Sequence, residues 1–170
     1  MAKPQIEDYP IFYQPYISVL DENSGLLDDL DTSLERFEQI LYEVEEAKYE
    51  YRYQEGKWTL KEIVQHLIDA ERVFVYRALG FTRHDEIDLP GFDENSYVVN
   101  YNSNRRSFQA LCDEFCLVRR ATLMMFQDFD SKTLDLKGTV EGNSISVKAL
   151  GFICSGHVLH HLNVIEERYL

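Results

Sequence analysis

Cysteine is scarce in this chain of 170 residues: Cys112, Cys116 and Cys154 are few and odd in number, which excludes a disulfide framework and fits reduced thiols. Proline is scarcer outside the first 24 residues, which hold Pro4, Pro10 and Pro15 and leave only Pro90 for the remainder. The eight glycines make neither a phosphate-cradling loop nor a dinucleotide fingerprint, and no Ser-His-Asp triad stands in a recognisable context. No apolar run approaches the roughly 20 residues that cross a bilayer. Met1-Ala2-Lys3-Pro4, followed by Glu7 and Asp8, lacks the apolar stretch and cleavage site of a signal peptide, so the expected address is the cytoplasm. Positive charge is also short, with 17 basic residues against 30 acidic ones and a net charge of −13. That balance disfavours nucleic-acid partners, which need a cationic face, and docking on anionic membrane lipid.

What is present is an ordinary globular composition, 45% hydrophobic and 28% charged, in a chain expected to form one domain with a full core. Residues 1–24, with Tyr9, Phe12, Tyr13 and Tyr16, read as an irregular arm whose aromatics pack on a domain spanning 25–170. Leu27, Leu30, Leu34, Phe37, Leu41 and Val44 then recur at steps of three and four, the stripe of an amphipathic helix. A second helix is predicted at about 59–79. Thr59 and Glu62 form its capping box, Trp58 and Ile63 its hydrophobic staple, and Leu60, Ile63, Leu67, Phe74 and Ala78 its apolar stripe. Residues 80–102 show no sustained period, and a connection of that length carries function or crosses the molecule.

A third helix is predicted at about 103–128, with Phe108, Leu111, Phe115, Val118, Thr122 and Phe126 facing inward and Cys116 off that stripe. Residues 129–145 read as a small hairpin or a loop, and Ser144 or Ser146 caps a last helix running nearly to Leu170. These elements describe an all-α four-helix bundle whose long crossover lets helices 2 and 3 run parallel.

The five histidines carry the chemistry. Leu150, Ile153, Cys154, His157, His161 and Val164 share one face of the last helix, so His157 and His161 project together one turn apart and can share a metal ion. His66, beside Ile63 and Ala70, can reach them across the core. Three imidazoles with no committed fourth ligand make an open site for water or substrate. The alternative is that these are core histidines bonded to carbonyls. His160 competes with His161 but is less well centred, His84 lies in the crossover and reads as solvated, and Cys154 reads as a small core residue.

Two segments resemble a known family. Trp58-Thr59-Leu60-Lys61-Glu62-Ile63-Val64-Gln65-His66-Leu67-Ile68-Asp69-Ala70-Glu71 is similar to the helix-2 signature of the DinB-like (YfiT-like) metalloenzyme superfamily, and Gly156-His157-Val158-Leu159-His160-His161-Leu162 resembles its helix-4 signature. The resemblance spans the chain from about Leu27 onward. It implies a bundle of up-down-down-up course and a divalent metal, zinc or nickel, on His66, His157 and His161. It also implies a thiol-dependent S-transferase acting on small electrophiles with a low-molecular-weight thiol such as bacillithiol or mycothiol, and a homodimer.

Competing readings are a metal-dependent hydrolase and a non-catalytic metal-binding or stress-related interaction bundle. Glu62 reads first as a cap and second as a partner for an imidazole, while Asp69, Glu71 and Arg72 read as a solvated helix face. The crossover segment Gly91-Phe92-Asp93-Glu94-Asn95-Ser96-Tyr97 is the expected source of substrate contacts.

Overall fold

A computed structural model describes residues 3–84, 88–101 and 105–170. Four long helices dominate: α2 (Leu26–Leu41), α3 (Leu60–Thr82), α5 (Phe108–Gln127) and α7 (Val147–Arg168). Short helices α1 (Gln14–Ile17), α4 (Glu94–Asn100) and α6 (Ser131–Leu134) and one hairpin of β1 (Lys137–Val140) and β2 (Asn143–Ser146) fill the connections. No helix among the described residues is long and apolar enough to cross a membrane.

Local chemistry sets the helix starts. Thr59 Oγ1 accepts from the Glu62 amide at 3.2 Å while the Glu62 carboxylate accepts from the Thr59 amide at 2.7 Å, the reciprocal capping box that opens α3. Ser107 and Ser146 cap α5 and α7 through the amides of Ala110 and Ala149. The first stripe begins one residue earlier than the spacing suggested: Leu26 is buried and Leu27 exposed, because Leu26 is the one of the two that packs against Gly151 of α7. The third helix begins at Phe108, where Ser107 supplies a cap; the expected start at 103 lies outside the described residues.

Each long helix packs mainly on two others: α7 on α2 and α3, and α5 on the same two. Arg36 pairs with Glu166, and Leu26 lies against Gly151, so α2 and α7 run the same way. Tyr42 bonds Asp113 and Glu38 pairs with Arg120, which makes α2 and α5 antiparallel. Ile63 shares one apolar cluster with Phe108, and Phe81 shares the other with Phe126, so α3 and α5 are parallel. The course is up-down-down-up.

Between those two clusters lies Arg119, with none of its surface exposed. Its five N–H groups all find acceptors. Nε and Nη2 meet the two carboxylate oxygens of Glu71 at 2.6 and 2.7 Å, and Nη2 also bonds the Cys154 carbonyl at 2.9 Å. Nη1 bonds the Leu30 carbonyl at 3.1 Å and the Ser33 hydroxyl. One guanidinium thus ties α2, α3, α5 and α7 together. This corrects the reading of Glu71 as solvated, since it is 2% exposed. Cys116 is likewise buried, against the Tyr42 hydroxyl, although it falls off the main stripe.

The N-terminal segment packs on α7 through α1, and its Tyr9, Tyr13, Ile17 and Leu20 are buried in the bundle's apolar cluster, Tyr13 edge-on against Phe74 of α3. Its closest approach is at Gly156, where a Cβ would fall 1.9 Å from the Tyr16 carbonyl oxygen. The hairpin turns through Glu141 and Gly142, both at positive φ, as a two-residue turn of the primed type requires. Leu89 of the crossover bridges to the hairpin: its amide bonds the Thr139 carbonyl and its carbonyl accepts from Glu141.

Two mutational outcomes follow from this packing. Glu71→Gln strands a buried guanidinium and should lower the unfolding free energy by about 3–5 kcal/mol in urea titrations, whereas the paired change Glu71→Leu with Arg119→Met should cost much less. Gly156→Ala cannot fit without moving backbone and should destabilise by about 1–3 kcal/mol while making residues before Leu20 newly sensitive to limited proteolysis.

Candidate metal centre

His66 comes from α3, and His157 and His161 come from the antiparallel α7. His66 Nε2 lies 2.9 Å from His157 Nε2, and His161 Nε2 lies 3.2 Å from the same atom. One ligand nitrogen from each ring falls within 4.8 Å of the others. Two nitrogens bound to one tetrahedral ion at about 2.0–2.1 Å stand about 3.3 Å apart, so the separations of His157 from His66 and from His161 both suit a shared divalent ion. Among the described residues no carbonyl or carboxylate accepts a hydrogen bond from these rings, which argues against ordinary core histidines.

The electrostatics agree with the geometry. His66 and His157 are buried and His161 half-buried. Burial pushes the His66 pKa down to about 4. Burial first, and then the neighbouring imidazoles, hold His157 and His161 well below the usual histidine range. All three rings are therefore neutral near pH 7, the form that ligates a metal.

Aromatic rings wedge the imidazoles in place. Trp58 lies 4.8 Å from His66 between ring centres, and Tyr16 and Phe74 meet His157 edge-on at 5.1 and 5.7 Å. Above the rings opens a cleft of about 350 Å³. Its walls include Tyr13 and Tyr16 of the N-terminal segment, Phe74 and Arg77 of α3, Phe92 and Glu94 of the crossover, and Glu141 and Asn143 of the hairpin. His160 lines the cleft beside Tyr16 but stays outside the three-ring cluster.

The remaining candidates fall elsewhere. Glu62 is occupied by its cap and by Arg52 at 2.8 Å. Asp69 accepts from Gln65, Arg72 pairs with Glu114 on the surface, and His84 is exposed in the crossover. Sequence periodicity missed Tyr16, Arg77 and the hairpin residues, because their proximity to the histidines comes from chain crossings. The one local signal was Gly156, whose missing side chain lets Tyr16 approach.

The histidine shifts give a signed pH dependence for metal-stripped protein. An unfolded imidazole titrates near pH 6.5, above its folded value, so the unfolded chain takes up more protons as acid is added. Stability is full above about pH 6.5 and falls as the pH drops toward 4, by roughly 3 kcal/mol from His66 alone. Denaturant titrations of chelator-treated protein between pH 7.5 and 4.5 should follow this fall, and His66→Gln should make it shallower.

Comparison with known proteins is consistent with this arrangement. No curated protein matches the chain. Among solved structures, YfiT from Bacillus subtilis, described as a probable metal-dependent hydrolase with an unusual four-helix bundle topology, superposes with a TM-score of 0.73 at 14% sequence identity, over 97% of this chain and 90% of that one. That likeness establishes the shared fold. A model of the DinB superfamily matches residues 29–165, which include all three histidines and most of the bundle, and the chain belongs to that superfamily.

Proposed function

We propose that His66, His157 and His161 hold zinc or nickel, and that the protein is a metal-dependent transferase joining a small thiol to an electrophile bound in the cleft. The observation carrying this reading is the convergence of three neutral imidazoles, with no fourth protein ligand among the described residues, at an open cleft. Three imidazole donors suit either metal. Such an ion, when bound, acidifies a thiol or water that reaches its open position.

The chain's own thiols do not serve as nucleophile. Burial pushes Cys112 up to about 12 and Cys116 to about 11, and holds Cys154 well above the ordinary thiol range. A sulfur nucleophile therefore comes from outside the protein. In this reading Glu94, which is exposed and lines the cleft, takes up its proton. The Tyr16 hydroxyl, raised by burial and by the charge of Glu94, remains protonated and acts as a hydrogen-bond donor. Trp58, Tyr16 and Phe74 pack against His66 and His157 and keep those rings from turning.

Hydrolysis, with water as nucleophile, is the second reading, favoured by the description given to the YfiT structure. Purified protein should contain close to one divalent ion per chain, and His157→Ala and His161→Ala should lose it. In a panel of small thiols and electrophiles, with and without added zinc, His66→Ala should lower turnover by about 100-fold or more, beyond the loss of an outer-sphere partner, while His84→Ala retains it. Negligible metal in every variant overturns the proposal. Metal without turnover identifies a non-catalytic bundle, and thiol-independent cleavage of esters or amides identifies a hydrolase.

A further inference from the structure

Two arginines are buried among the described residues, and they are treated differently. Arg119 is neutralised by Glu71. Arg77, on α3, is 3% exposed and lines the same cleft as the three histidines, yet among the described residues no carboxylate lies within ion-pair distance of it. Its two hydrogen bonds go to neutral oxygens: Nη1 to the Tyr13 hydroxyl at 3.3 Å and Nη2 to the Pro90 carbonyl at 3.0 Å. A buried charge without a counter-ion is strongly unfavourable, and such sites persist where a ligand supplies the missing charge.

We infer that Arg77 is the anchor for a carboxylate group on the small molecule that occupies the cleft. The guanidinium fork suits a planar carboxylate, which it can grip through two parallel hydrogen bonds. Charge balance favours a monoanion, because Glu94 and Glu141 line the same cleft and would repel a phosphate dianion facing a single cation. The body of the ligand is apolar: Phe74 packs edge-on against Phe92 at 6.5 Å and against His157 at 5.7 Å, a wall running from the arginine to the imidazoles.

Arg77 follows His66 by 11 residues, about 16 Å of helix rise, and helical side chains lean toward the amino end, here toward the histidines. An arylalkyl acid bound at Arg77 therefore directs its far end to the histidine cluster. Calling this ligand the substrate rests on the reactive-site reading above; the carboxylate anchor itself does not.

The test titrates the full-length protein, as purified and after chelation, with phenylacetate and its neutral counterpart phenylacetamide. The acid should bind about tenfold tighter or better, the worth of a charge-assisted hydrogen bond. The preference should survive chelation and disappear in Arg77→Gln. In arginine-labelled protein, the Nε–H resonance absent from Arg77→Lys should shift on adding the acid and stay fixed with the amide, a readout that does not depend on the glutamine variant folding. Equal affinity for acid and amide, an unmoved resonance, or full preference in Arg77→Gln overturns the inference. So does a preference lost on chelation, which would place the carboxylate on the metal. Inorganic phosphate competing as well as phenylacetate overturns the assignment to a carboxylate. Protein that holds no metal but keeps the Arg77-dependent preference refutes the reactive-site reading and leaves the anchor standing.

Discussion

Arg119 and Glu71 are buried together where four helices meet, and their pairing fixes the height of each helix against the others. Two charges taken out of water are tolerable only when every donor is satisfied, and the guanidinium meets that condition with one carboxylate, two carbonyls and one hydroxyl drawn from three other helices. Sliding any of those helices along its axis would break at least one of these bonds in a low-dielectric interior. The Cys154 carbonyl lies one turn before His157, and Glu71 lies little more than one turn after His66, so the register that satisfies the arginine also brings the two histidines opposite each other.

The histidine cluster rests on this layer and is polar for a different reason. The arginine layer is closed, with every hydrogen bond made inside the protein, whereas the three imidazoles turn their nitrogens toward one another and find no other protein acceptor among the described residues. A closed polar layer holds a bundle together. An open one leaves donor atoms free for a ligand.

Much of this was legible in the sequence, and what was missed has a common cause. The four long helices, the Thr59–Glu62 cap and the face shared by His157 and His161 are local features, written in spacings of three and four residues. Glu71 was misread because amphipathic periodicity assigns a charged side chain to solvent, and its partner Arg119 is 48 residues away. The first stripe was begun at Leu27 rather than Leu26, since two adjacent leucines leave the phase of the stripe undetermined until a neighbouring helix selects one. Tyr16 and Arg77 reach the cleft only because the N-terminal segment crosses α7 and the crossover returns over α3. Helix α4 sits inside the crossover read as aperiodic; the Asp93 carboxylate capping the Asn95 and Ser96 amides marked its start, but at seven residues it is too short to show a stripe.

The separation of the three histidines along the chain bears on how the protein is made. A polypeptide growing from its amino end exposes His66 well before His157 and His161 are synthesised, and Tyr16, which wedges His157, is older still. Of the three clustered imidazoles, a nascent chain therefore holds only that of His66 until α7 has been synthesised and docked. The three-ring cluster is thus a property of the finished molecule, lacking in any fragment that ends before α7.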